Sequence, residues 1–199
     1  MTDKKSDGAS RDFAGTWMCY IEFPIVNEVI QKWAARIDAD DIENDKRVCK
    51  GGIVREQGIN ILLGLPCAPT DDLVKILQRV PAFNLKLGMT QCFEEETVTV
   101  ENIVHKYRVL NVQILESENK ELTDLQKLIG TLYGGVLNPI VWHHPKYQAH
   151  LTIGFIKSGT EGKFVGQNVL SNMDTVQVSE IKIKKFQDKS FKPVTIKLM

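Results

Sequence analysis

His150-Leu151-Thr152-Ile153 and, earlier in the chain, Asn60-Ile61-Leu62-Leu63 are the stretches whose reading decides the fold. Each lies in an apolar run that reads as a strand: Ala149 to Ile156, and Ile53 to Leu65 with a break at Gly58. Side chains alternate across a strand, so His150 and Thr152 leave one face together. An imidazole beside a hydroxyl is a pair suited to gripping a phosphate and moving a proton. The matching positions of the earlier stretch, Asn60 and Leu62, carry an amide and an aliphatic chain. If the two strands are partners, the chain keeps half of a two-histidine phosphate site. They lie about 90 residues apart, which suits two similar lobes facing one another.

Outward from these strands the chain alternates elements. Residues 1–13 are rich in Lys, Asp, Ser and Gly and read as a flexible arm ahead of a single domain over 14–199. Trp17 to Phe23 reads as a strand ended by Pro24, and Val26, Val29, Ile30, Trp33 and Ile37 recur at helical spacing. Asp38 to Lys50 is a charged connection. Thr70 caps a helix carrying Leu73, Ile76, Leu77 and Val80, which Pro81 stops. Phe83, Leu85 and Leu87 alternate as a strand, Thr97 to Val104 suggests a hairpin arm, and Tyr107 to Ile114 alternates again. Ser117 can cap a helix through Leu122, Leu125, Ile129 and Leu132, which Gly134-Gly135 breaks. After the His150 strand, Val176 to Ile183 reads as a strand with an irregularity at Glu180, and Val194, Ile196 and Leu198 make a last one. Roughly two strands accompany each helix, which is an α+β pattern.

Composition excludes several classes. Hydrophobic residues make up 43% and charged residues 25%, as in an ordinary globular chain. Lys+Arg 25 against Asp+Glu 25 leaves no net charge, which argues against a nucleic-acid binder held by bulk charge but allows a focused phosphate site. Cys19, Cys49, Cys67 and Cys92 form no CxxC pair, against both a zinc module and a disulfide scaffold. No His/Asp/Glu cluster has ligand spacing, so no metal or other cofactor is expected. The polar N-terminus lacks the apolar core of a signal peptide, and no apolar run approaches a membrane span. The expected compartment is therefore reducing: cytoplasmic, with the nucleus as the other choice.

Tyr147-Gln148-Ala149-His150-Leu151-Thr152-Ile153-Gly154-Phe155-Ile156 resembles the second of the two His-x-Thr/Ser motifs of the 2H phosphoesterase superfamily, which includes 2′-5′ RNA ligase-like proteins and cyclic phosphodiesterases. The flanks resemble it too: Gly64-Leu65-Pro66 with a helix behind it, Phe83 to Gly88, Val109 to Val112, and Lys157-Ser158-Gly159 through Lys163-Phe164. The likeness extends over roughly residues 16–198. It implies a two-lobed, pseudo-symmetric α+β fold, with antiparallel sheets around a central groove and outer helices. It also implies acid–base cleavage by two histidines, with hydroxyls on the phosphate oxygens. Asn60 stands where the family has its first histidine, and Leu62 where it has Thr or Ser. Asparagine exchanges no proton near neutral pH and leucine makes no hydrogen bond.

The leading expectation is a divergent, catalytically impaired member that binds a phosphorylated nucleotide or RNA end at His150 and Thr152. One alternative is an active phosphodiesterase on 2′,3′-cyclic phosphates or 2′-5′-linked oligonucleotides. Another is a protein-interaction module with a disused cleft and an unknown partner. Trp142 and Tyr147 are candidates for stacking on a base, or else they pack their loop. His105, His143 and His144 are the remaining histidines, the last two in the loop before the second motif. Lys182, Lys184 and Lys185 read as a solvated strand face.

Overall fold

Strand β1 (Trp17–Glu22) turns Cys19 and Ile21 into the core and runs straight into helix α1 (Pro24–Ala34). Pro24 takes the first helical turn, where its missing N–H costs nothing. Val26, Ile30 and Ala34 form the buried stripe of α1. Strand β2 is Gly58–Leu65, and helix α2 (Asp71–Leu77) starts where expected, with the Thr70 hydroxyl accepting from Leu73 N at 3.3 Å. Then come β3 (Phe83–Lys86), β4 (Thr90–Cys92), β5 (Glu96–Val100), β6 (Ile103–Gln113), helix α3 (Lys120–Leu132), β7 (His150–Lys157), β8 (Thr175–Val178), β9 (Glu180–Lys185) and β10 (Val194–Lys197). The structure, a computed structural model, describes residues 15–55, 58–133, 148–186, 188 and 190–199. The N-terminal arm lies outside the described residues.

The first sheet is antiparallel in the order β10-β9-β1-β2, so β2 is its edge. In the second, β6 is central: β7 pairs along one side, β4 and β5 along the other. β3 and β8 form a separate pair. One core joins the sheets, with Ile59 and Ile61 from the first, Val112, Leu151 and Ile153 from the second, and Ile30, Leu125 and Ile129 from the helices. This is the mixed α+β, antiparallel architecture expected from the strand and helix pattern.

Several elements differ from the sequence reading. Ser117 sits in a single 3-10 turn, and α3 begins at Lys120 behind Asn119. The Asn119 carboxamide pins β3 to the start of α3, accepting from Lys86 N at 2.7 Å and donating to Lys86 O at 3.1 Å and Leu115 O at 2.8 Å. The hairpin arm is β5 with the first residues of β6, joined where Glu101 and Asn102 turn the chain at φ 51 and 66, the left-handed values a tight hairpin needs, and its return strand runs on without a break into the strand read from Tyr107. The irregularity at Glu180 is a change of sheet: β8 pairs with β3, and β9 with β1.

The charged connection also has a structural role. Residues 42–54 run along the outer edge of β7, through bridges Ile42–Ile156 and Ile53–Gly154. Glu43 N donates to Phe155 O at 3.0 Å, Phe155 N to Gly52 O at 3.1 Å, and Val54 N to Ile153 O at 2.8 Å. An edge that would offer unpaired backbone is thereby covered.

Candidate functional site

The edge strand β2 and strand β7 touch. Both send aliphatic side chains into the shared core, Ile59 and Ile61 from one, Leu151 and Ile153 from the other. Asn60, His150 and Thr152 leave their strands on the side away from that core and are exposed or half-buried.

On β7 the ladder to β6 is unbroken through the motif, pairing Gln113 with His150, Val112 with Leu151 and Asn111 with Thr152. The register shift comes only afterwards, at Ile153. His150 and Thr152 therefore share a face. His150 Nδ1 lies 2.8 Å from Gln148 O. A carbonyl only accepts, so Nδ1 carries the proton and Nε2 is the basic nitrogen of the neutral ring. The ring meets Phe93 edge-on, with centroids 4.7 Å apart. Packing and a backbone partner thus fix the orientation of the imidazole.

β2 behaves differently. Asn60 pairs with Tyr20 and Leu62 with Cys19, so Ile61 is an extra residue in the ladder. Tyr20 and Cys19 are neighbours on β1 and face opposite ways. Their partners do the same: Asn60 is exposed, whereas Leu62 is 0% exposed in the core beside Cys19. The two-residue alternation that holds for His150 and Thr152 is broken at Asn60 and Leu62 by this bulge.

The surrounding face carries groups that the sequence reading left unassigned. Across the first sheet a single row runs Thr195, Lys182, Tyr20, Asn60. Lys182 Nζ pairs with Glu22 at 2.5 Å and Glu180 at 3.8 Å, and the Glu22 hydrogen bond raises its pKa. Lys184 Nζ sits 4.4 Å over the Tyr20 ring. These lysines read as a plain solvated face, but they share the face of Asn60. Across the second sheet, Gln91 and Asn111 lie in one row with Thr152, and Gln113 lies beside His150. Asn111 is 0% exposed, donates from Nδ2 to Val109 O at 3.3 Å, and has a buried Oδ1 with no hydrogen-bond partner among the described residues. The signal for Asn111 and Gln113 was present in the alternation of β6, which puts both on one face.

Trp142, Tyr147, His143 and His144 lie outside the described residues. His105 is eight residues along β6 from the His150 row, roughly 27 Å at 3.4 Å per residue, and faces Glu43 at 3.8 Å. It is no substitute base for Asn60. Among the described residues, no group of three or more His, Cys, Asp or Glu side chains is arranged to hold a metal ion. No helix among them is long and apolar enough to cross a membrane.

No family model matches the sequence, and no curated protein matches it. Solved structures do match. The apo form of Escherichia coli LigT aligns with TM-score 0.52 at 13% identity, over 93% of this chain and 95% of its own. TT0787 of Thermus thermophilus aligns with TM-score 0.53 at 11% identity, over 90% and 93%. The chain has the 2H phosphoesterase fold.

Proposed function

We propose that this protein is a divergent 2H phosphoesterase-like protein, impaired in catalysis, which holds a phosphorylated nucleotide or RNA end through His150 and Thr152. The observation that carries this reading is the contrast between the two strands. β7 presents an oriented imidazole and a hydroxyl on one face. β2 presents an amide there and turns its second position into the core. A cyclising or hydrolytic in-line displacement needs a base and an acid on opposite sides of phosphorus. One imidazole supplies only one of them, and each such group is worth ~10²–10⁴-fold. The Asn60 carboxamide still donates hydrogen bonds, so binding outlasts turnover.

The test is titration with 2′,3′-cyclic nucleotides and short 2′-5′ and 3′-5′ oligonucleotides, for wild type and for His150→Ala/Thr152→Ala. Each charge-assisted hydrogen bond contributes ~1.5–3 kcal/mol, so the double variant should bind at least tenfold more weakly. Equal affinities would remove the site. Robust wild-type turnover abolished by His150→Ala would make the protein a working phosphodiesterase instead.

A further inference from the structure

A pocket of about 170 Å³ opens beside His150, where the end of β6, the start of β7 and the first turn of α3 meet. Gln91, Gln113 and Gln148 line it, with Glu116 at the rim and Leu122 and Ala149 as apolar walls. We infer that this pocket is a nucleobase site that prefers amino-bearing bases, adenine or cytosine, over uracil. The inference rests on the reading of His150 and Thr152 as the phosphate-holding pair and adds the identity of the attached base.

Position is the first argument. Gln113 stands opposite His150 in the ladder, and Gln148 supplies the carbonyl that orients the imidazole. Gln91 shares a row with Thr152. A ligand whose phosphate meets His150 and Thr152 therefore has this pocket as its immediate neighbour. Size is the second. Sites for whole drug-sized ligands run from about 300 Å³ upward, so this one suits a single ring system and leaves the sugar and phosphate outside.

Chemistry is the third. No Lys, Arg or His lines the pocket among the described residues, and its one formal charge is the Glu116 carboxylate. A phosphate is disfavoured there, and a neutral planar ring with amino hydrogens is favoured. A glutamine amide reads the N6 amine and N7 of adenine with two hydrogen bonds, and a carboxylate accepts from the N4 amine of cytosine. Uracil presents carbonyl oxygens where these bases present amines, and those oxygens would meet the negative charge of Glu116. The Asn119 amide is already committed to Lys86 and Leu115 and serves as wall rather than reader.

The experiment is NMR on the full chain with assigned glutamine side-chain amides, titrated separately with adenosine, cytidine, uridine and ribose 5-phosphate. The expected result is that adenosine and cytidine move the amide signals of Gln91, Gln113 and Gln148 with about tenfold higher affinity than uridine. Ribose 5-phosphate should move His150 and Thr152 and leave the pocket amides in place. Gln91→Leu and Gln113→Leu should each erode the preference for amino-bearing bases without changing ribose 5-phosphate binding. Amide signals unmoved by every nucleoside, or moved equally by uridine, would overturn the base site while leaving the phosphate site standing. Nucleoside binding without any response to ribose 5-phosphate would keep the base site and overturn the phosphate reading.

Discussion

Asn60→His should raise turnover on 2′,3′-cyclic nucleotides, and Leu62→Thr should add nothing but instability. Asn60 is exposed on the face of the row that carries Lys182 and Tyr20, so an imidazole there meets little steric cost, within about 0.5 kcal/mol. It returns the missing proton-transfer group, worth up to ~10²-fold or more if its geometry is productive. Leu62 is 0% exposed and pairs with Cys19, on the opposite face. Threonine at that position loses buried aliphatic volume and buries a hydroxyl, together about 3–5 kcal/mol. For a chain of this size, that lowers the melting temperature by roughly 6–20 °C. Four proteins decide the matter: wild type, each single variant and the double variant, each with its cleavage rate at neutral pH and its thermal unfolding curve. The Asn60→His variant should be the fastest of the four, and both Leu62→Thr proteins should melt early. A double variant that outpaces Asn60→His with an unchanged melting temperature would refute the bulge argument, because position 62 would then share the exposed face of position 60.

Other perturbations probe the frame around the site. Gly154→Ala would put a Cβ 2.9 Å from Ile53 Cδ1 and 3.0 Å from Gly52 O, so the connection along β7 must shift; a loss of about 1–3 kcal/mol is expected, read by denaturant unfolding, with faster amide exchange at Val54 and Phe155. Burial pushes the Cys49 and Cys92 thiols up to about 11 and that of Cys19 further, while Cys67 is exposed; iodoacetamide at pH 7 should therefore label Cys67 first in the folded protein and all four in denaturant. The Arg47 side chain holds Asp45 at about 2, below its ordinary 3.8, so this bond is fully present above pH 3.8 and is lost as the pH falls toward 2; the Arg47 guanidinium NMR signals should change in that window and not between pH 5 and 8.

Much of the fold was legible because its strands and helices follow local rules. Pro24 and Thr70 mark helix starts by what they do to backbone donors, and alternation in β6 and the first part of β7 reports one buried face. Pro81 does not set the end of α2, which closes at Leu77, short of Val80 and the proline. What escaped depends on pairing between distant segments. The short β4 is a strand through its partners at Asn111 and Val112, and the charged connection is an edge cover through hydrogen bonds to Phe155 and Ile153. Neither has an apolar pattern of its own. At the site, the identity of each motif residue could be read directly, but the orientation of Leu62 could not, since a bulge leaves no fixed signature in composition. The shared face of Asn111 and Gln113 was visible as alternation in β6, yet its place beside Gln91, Thr152 and His150 requires the register of three strands.

The two lobes differ in geometry as well as in side chains. Gly64 and Gly154 each stand four residues after the first motif position, and each strand has a register shift at or beside its glycine, between Leu62 and Leu65 on β2 and between Thr152 and Gly154 on β7. That shift is common to both lobes. The additional shift at Ile61 belongs to β2 alone, and it separates Asn60 from Leu62. A first motif altered only in its side chains would regain both groups by substitution. In this backbone, a histidine at 60 stands on the exposed face with Tyr20 and Lys182, and a hydroxyl at 62 stands in the core. The second lobe, whose ladder is regular through His150 and Thr152, keeps imidazole and hydroxyl in phase. Phosphate binding needs one such oriented pair with donors nearby, whereas cleavage needs proton transfer from both sides. Under the proposed function, this asymmetry of the two ladders is the reason binding outlasts turnover.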